Sequence, residues 1–145
     1  MGAIMTEVVV VKFGGGLITN KAKLCTPALS IIDDLVAVVK RCLQSGLRVV
    51  VVHGAGSYGH LRAKYWRLKE GQLADVDFIP QSDCASQKEA VSLVRKDMLT
   101  LNKLIIDAFE NIGVTSKSLP PHQWARNTGS SFAGEIKNNF TVAED

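Results

Sequence analysis

A chain of 145 residues with 46% hydrophobic and 21% charged residues is one domain's worth of ordinary globular sequence, long enough to bury a real core. Its formal charge of +3 is spread along the chain rather than gathered with aromatics, which argues against nucleic acid. No apolar run approaches the roughly 20 residues of a membrane span, and three cysteines without metal-ligand spacing (Cys25, Cys42 and Cys84) fit reduced thiols in a cytoplasmic protein.

Two short patterns read as coincidence. Met1-Gly2-Ala3-Ile4-Met5-Thr6 fits the loose N-myristoylation pattern, but a strand starts almost at once. Asn139-Phe140-Thr141 is a formal glycosylation sequon in a chain with no secretory signal.

In chain order, residues 7–13 predict a first strand, apolar on both faces and so central in a sheet. Gly14, Gly15 and Gly16 follow, and Leu17–Lys21 continue as a loop or short hairpin. Thr26-Pro27 predicts a helix start, with Thr26 as N-cap and Pro27 at the first helical position. The stripe Ile32, Leu35, Val36, Val39, Leu43 has helical spacing, and Ser45-Gly46 ends the helix. A valine-rich strand over Arg48–Val52 follows directly. This is a βαβ unit, so its strands are expected to be parallel with a right-handed crossover.

A helix is predicted from Ser57 to about Leu68, and residues 71–82 read as irregular, either a flap or plain surface connection. A long helix from Asp83 to Asn111 carries the stripe Val91, Val94, Met98, Leu101, Ile105, Ala108, Ile112. Gly113 closes it, Val114–Leu119 predicts a third strand, and Pro120–Trp124 a stiff turn. Residues 1–129 thus form the structured unit and 130–145 a frayed tail.

Parallel strands have a functional consequence. Both glycine loops, Gly14-Gly15-Gly16 and Gly54-Ala55-Gly56-Ser57-Tyr58-Gly59, leave the carboxyl ends of their strands and open on one edge of the sheet. Glycine backbone lets a ligand approach without Cβ interference, and a strand feeding a glycine loop and a helix start suits an anion. The second loop also matches the dinucleotide pattern G-x-G-x-x-G. That reading requires a following apolar strand ending in an acid to hold the ribose. Leu61–Glu70 is rich in Arg and Lys instead, so the nicotinamide reading is rejected.

Facing glycine loops suit two phosphorylated molecules held head to head. Each like-charge pair at about 4 Å costs roughly 4 kcal/mol at a moderately screened effective dielectric. Cations and N–H donors must offset that repulsion, and such positioning is most of phosphoryl-transfer catalysis. Lys12 at the end of strand one, Lys21 past its loop and His60 beyond the second loop are the candidates. Taken singly, a loop lysine is usually solvated and a lone histidine usually structural. Their coincidence on two neighbouring loops is the signal.

Lys12-Phe13-Gly14-Gly15-Gly16-Leu17-Ile18-Thr19-Asn20-Lys21 with His53-Gly54-Ala55-Gly56-Ser57-Tyr58-Gly59-His60 resembles the amino-acid-kinase superfamily, and within it the isopentenyl phosphate kinase branch. The first motif is similar to K-x-G-G-S-x-x-[TS]-x-K and the second to H-G-[GA]-G-S-[FY]-G-H. The likeness continues through Val94-Arg95-Lys96-Asp97-Met98 and Leu101-Asn102. It implies a three-layer α/β/α sandwich with a mainly parallel sheet that phosphorylates isopentenyl phosphate with ATP and Mg2+. Lys12, Phe13, Gly14, Gly15, Gly16 and Gly56 would meet the nucleotide phosphates, and Lys21 the transferring phosphoryl group. Gly54, Ala55, Gly59 and His60 would hold the acceptor phosphate, with the isoprenoid tail near Tyr65, Val94 or Met98. No metal-binding side chain is assigned.

Gly16 departs from the family's usual serine. The resemblance also implies a carboxyl half carrying the adenine and ribose site, of which no motif is present, so this chain is expected to be the acceptor-binding half. The competing readings are a sister kinase with a phosphonate or amino-acid acceptor, and an inactive half that only binds a ligand or partner. Family members commonly pair as homodimers.

Overall fold

The two valine runs form strands. β1 (Val8–Phe13) and β2 (Arg48–His53) pair in parallel, residue for residue from Val8 with Arg48 to Phe13 with His53. The computed structural model describes residues 7–73, 83–126 and 135–136. Between the strands lie a single short turn of helix, α1 (Gly15–Ile18), and the crossover helix α2 (Leu29–Gln44). A 3₁₀ turn at Gly56–Tyr58, the helix α3 (His60–Tyr65) and a second 3₁₀ turn at Leu68–Glu70 follow β2. The long helix α4 (Gln87–Asn111), a single turn α5 (Pro121–Trp124) and the two-residue strands β3 (Ala125–Arg126) and β4 (Glu135–Ile136) complete the order.

The α/β class with a parallel sheet is as the sequence predicts, but the burial of the strands needs correction. In a parallel pair with one-to-one register, partnered residues share a face, so Val11, Val49 and Val51 join Phe13 beneath α2 and α4. Ile32, Val36 and Val39 of α2 and Leu101, Ile105, Ala108 and Phe109 of α4 close that core. The other face is open: Val8, Val10 and Val52 are 50%, 66% and 50% exposed. Within the described residues, then, both helices serve one side of the sheet.

The helix start at Thr26-Pro27 is a second correction. Thr19 and Pro27 form an antiparallel bridge, the Asn20 amide donates to Thr26 O (2.9 Å) and the Ala28 amide to Ile18 O (2.9 Å). Pinned into this hairpin, residues 26–28 stay out of the helix, and α2 begins at Leu29 without a side-chain cap. Its other end is as expected: Gly46 (φ +83°) donates to Leu43 O and Leu47 to Cys42 O, a Schellman ending. Gly113 (φ +75°) ends α4 the same way, with Val114 donating to Phe109 O.

The long helix starts four residues later than predicted. Ser86 Oγ accepts from the Glu89 amide (3.1 Å), while Glu89 reaches back to the Ala85 amide (2.7 Å), a close relative of the capping box. The helix expected over Ser57–Leu68 is broken into pieces, first at Gly59 (φ −135°) and again at Arg67, which adopts a left-handed conformation (φ +49°). Val114–Leu119 is not a strand: it has no backbone ladder, and Ser118 instead accepts from the Asn102 side chain (2.6 Å). In the predicted tail, Glu135–Ile136 pair antiparallel with Ala125–Arg126, and the rest lies outside the described residues. Most of the stretch read as flap or connection, residues 74–82, also lies outside them. Among the described residues no helix is long and apolar enough to cross a membrane.

Candidate functional site

Both glycine loops emerge on the same rim of the sheet, in backbone contact. The Gly54 amide donates to Phe13 O (2.9 Å), extending the strand ladder by one step into the loops. Beyond it Gly15 lies flat against Gly54 and Gly56: a Cβ on Gly15 would stand 2.9 Å from Gly56 Cα and 3.0 Å from Gly54 C. Gly56 itself has φ +50°, a conformation that disfavours any side chain. Here the absence of side chains is what lets the loops touch.

A threonine locks them together. Thr19, 4% exposed, donates its hydroxyl to Gly15 O (2.7 Å) and accepts from the Ser57 amide (2.9 Å). Ser57, 1% exposed, returns the link, its Oγ accepting from the Thr26 amide (3.2 Å). Sequence reasoning assigned neither residue a role. Their only signal was position, one hydroxyl in each of the paired motifs.

The cavity over this contact measures about 370 Å³ and is lined by Gly15, Gly16, Lys21, Gly56 and His60. Lys21 and His60 thus reach one space from opposite loops. The lysine lies over Gly16, where a Cβ would stand 2.6 Å from Nζ. No carboxylate is among the lining residues, so the cavity offers two basic side chains and bare backbone to an anion.

The remaining predicted site residues fall around this centre. Lys12 is exposed, in register with Val52 on the uncovered face of the sheet, and does not line the cavity. Phe13 is 1% exposed, so its ring belongs to the core and its carbonyl to Gly54. Gly14 O accepts from the Leu17 and Ile18 amides (2.8 and 3.1 Å), shaping α1. Ala55 and Gly59 face each other, a Cβ on Gly59 standing 2.8 Å from Ala55 Cβ, 3.7 Å from Met98 Sδ and 3.8 Å from Val94 Cγ1. Val94 and Met98 therefore adjoin the second loop, whereas Tyr65 is 60% exposed.

Two further anchors were not read from the sequence. His53 meets Asn102 Oδ1 of α4 through Nε2 (3.1 Å), fixing the residue that precedes Gly54. Arg62, two residues after His60, is 6% exposed and binds two carboxylates. Asp83 takes Nε (3.2 Å) and Nη2 (2.5 Å), and Asp97 of α4 takes Nη1. The Arg62 hydrogen bonds hold the Asp83 carboxyl below the usual carboxylate range. Burial, and then a hydrogen bond to Asp97, push the Cys25 thiol up to about 11. Burial raises the Tyr58 phenol as well. A signal for Asp97 did exist: it falls three residues after Val94 and four before Leu101, a carboxylate on the apolar stripe of α4.

Residues 7–143 match the family model described as the amino acid kinase family. The chain belongs to the amino acid kinase family. Within that family it is 31% identical over 113 residues to the isopentenyl phosphate kinase of Thermoplasma acidophilum, a match covering 77% of this chain and 40% of the relative. The crystal structure of the T. acidophilum isopentenyl phosphate kinase product complex is 30% identical, with a TM-score of 0.57 over 74% of this chain and 40% of that one. An isopentenyl phosphate kinase substrate complex is 29% identical, with a TM-score of 0.54 over 75% and 40%. A third set, X-ray structures of isopentenyl phosphate kinase, shares the fold at 22% identity, with a TM-score of 0.69 over 83% and 46%. This amino acid kinase chain spans about 40% of the length of the curated relative it matches.

Proposed function

We propose that this chain is the acceptor-holding portion of an ATP-dependent kinase that phosphorylates isopentenyl phosphate to isopentenyl diphosphate. The observation that carries the reading is the shared cavity: Lys21 and His60 line one space above glycine backbones in mutual contact. Family membership supports a kinase, and the relatives named for isopentenyl phosphate support the acceptor.

In the proposed reaction an oxygen of the acceptor phosphate attacks the γ-phosphorus of ATP. A new P–O bond forms, the bond to the β–γ bridging oxygen breaks, and ADP leaves. The work left to the protein is alignment and charge compensation. His60 donates a hydrogen bond to the acceptor phosphate, Gly54, Ala55 and Gly59 give it room, and Lys21 compensates charge on the phosphoryl group in flight. Lys12 and Gly14–Gly16 belong to the nucleotide side by family likeness, with Phe13 contributing backbone alone.

The donor set suits phosphate oxygens rather than a bare metal ion. Among the described residues, no group of three His, Cys, Asp or Glu gathers as a metal site. Mg2+, which neutralises nucleotide phosphates when bound, is assigned no ligand among the described residues, and none of them is assigned to adenine or ribose.

Calorimetric titration of the purified chain tests the reading. Isopentenyl phosphate should bind, and His60→Ala should abolish most of that binding. A folded chain that ignores isopentenyl phosphate would overturn the assignment. One alternative has its own support: a chain spanning about 40% of its relative could bind the acceptor without turning it over. Transfer of labelled phosphate from ATP by this chain would eliminate that alternative.

A further inference from the structure

The helix that begins with His60 is badly equipped to hold itself in place. α3 has six residues and no side-chain cap at Gly59, whereas isolated helices shorter than about 12 residues are marginal in water. Nor does it present an apolar stripe: Lys64 and Tyr65 are exposed, Leu61 and Ala63 half-buried, and its one buried side chain is Arg62. Trp66, 0% exposed, anchors the far end just beyond the helix. At the His60 end Tyr58, 3% exposed, is anchored in the core just before the helix, and within the helix the anchor is a guanidinium.

Each of the three guanidinium nitrogens donates to a carboxylate. Nε and Nη2 form a fork on Asp83, and Nη1 is spent on Asp97. With two carboxylates on one cation, Arg62 has no charge to offer a phosphate, so it is not a ligand. Its partners lie 21 and 35 residues along the chain, one before α4 and one within it.

We propose that Arg62, clamped between Asp83 and Asp97, is the positioning residue that sets His60 over the glycine cradle. This rests on the reading of the cavity as a phosphate site. A buried ion pair is weak support for stability, since a well-packed apolar replacement is often as stable. A fixed orientation for a neighbouring ligand is a use that the apolar replacement cannot reproduce.

The test separates the two roles. Arg62→Lys keeps the charge and loses the fork; Arg62→Met with Asp97→Leu removes the buried guanidinium and its half-buried partner and permits apolar packing. Each is measured for melting temperature, for affinity toward isopentenyl phosphate and inorganic phosphate by calorimetry, and for the His60 ring resonances by NMR. Affinity should fall about tenfold, the equivalent of one charged hydrogen bond, and the His60 resonances should move, even where the melting temperature recovers. Affinity that returns together with stability, or an Arg62→Lys chain that binds normally with His60 unmoved, would overturn the proposal. Should the double variant fail to fold, Arg62→Lys decides alone. If the parent chain binds neither phosphate compound, the functional reading fails, and the clamp is judged on His60 alone: moved resonances support it, unmoved ones reject it.

Discussion

A Cβ on Gly54 would stand 2.6 Å from the backbone nitrogen of Gly15. Real Cβ atoms do not approach backbone so closely, and neither partner has a side chain that could swing aside. Gly54→Ala should therefore force the loops apart at a cost of roughly 2–3 kcal/mol. Gly14→Ala is the control, since its Cβ would meet only Leu17 Cβ at 3.9 Å. Urea unfolding midpoints should drop for Gly54→Ala and hold for Gly14→Ala.

Thr19→Val keeps the shape of the side chain and removes the hydroxyl. The Ser57 amide is then buried without its acceptor and Gly15 O loses its donor. An unsatisfied buried polar group costs about 1–3 kcal/mol, and Thr19→Ser should recover most of that. Denaturant unfolding of the three chains measures both halves of the statement.

Gly16→Ala separates stability from binding. Its Cβ would stand 2.6 Å from Lys21 Nζ, so the flexible end of the lysine must leave its place over the loop. Alanine within α1 should leave stability unchanged or raise it by about 0.5–1 kcal/mol. Calorimetric affinity for isopentenyl phosphate should nevertheless fall about fivefold, the loss of part of one charge-assisted contact.

The Cys25 thiol gives a pH dependence with a definite sign. Its proton is held more tightly in the folded chain, where burial is the main cause that pushes the thiol up to about 11 from an ordinary value of 9.0. The resulting stability is whole below pH 9 and is lost as pH rises through 11. Thiolate is the reactive form, so alkylation at Cys25 should stay slow until pH approaches 11. Mass spectrometry after timed iodoacetamide treatment gives the site-resolved rate.

What could be read from the sequence was whatever a local pattern dictates. The valine runs, the glycines after them, the stripes of α2 and α4 and the glycine stops at Gly46 and Gly113 each carry their own signal, and parallel strands put both loops on one rim. The misreadings came from partners distant in the chain. Thr26-Pro27 has the composition of a helix start, but its bridge to Thr19 keeps it out of the helix. Val114–Leu119 has the composition of a strand, but among the described residues it forms no strand ladder. Arg62 among Lys64 and Arg67 looks like a solvated surface residue until Asp83 and Asp97 are folded against it.

The pairing of β1 with β2 holds one more lesson. Val8–Val11 and Val49–Val52 are interchangeable side chains, so sliding one strand past the other by a step changes nothing that the valines themselves can sense. Such a slip would nevertheless turn Phe13 out to water and Lys12 into the core. The alignment of this pair must be settled at its ends, and at the carboxyl end the stop is the meeting of Gly15 with Gly54. The contact that shapes the cavity is thus also the ruler against which the sheet is measured.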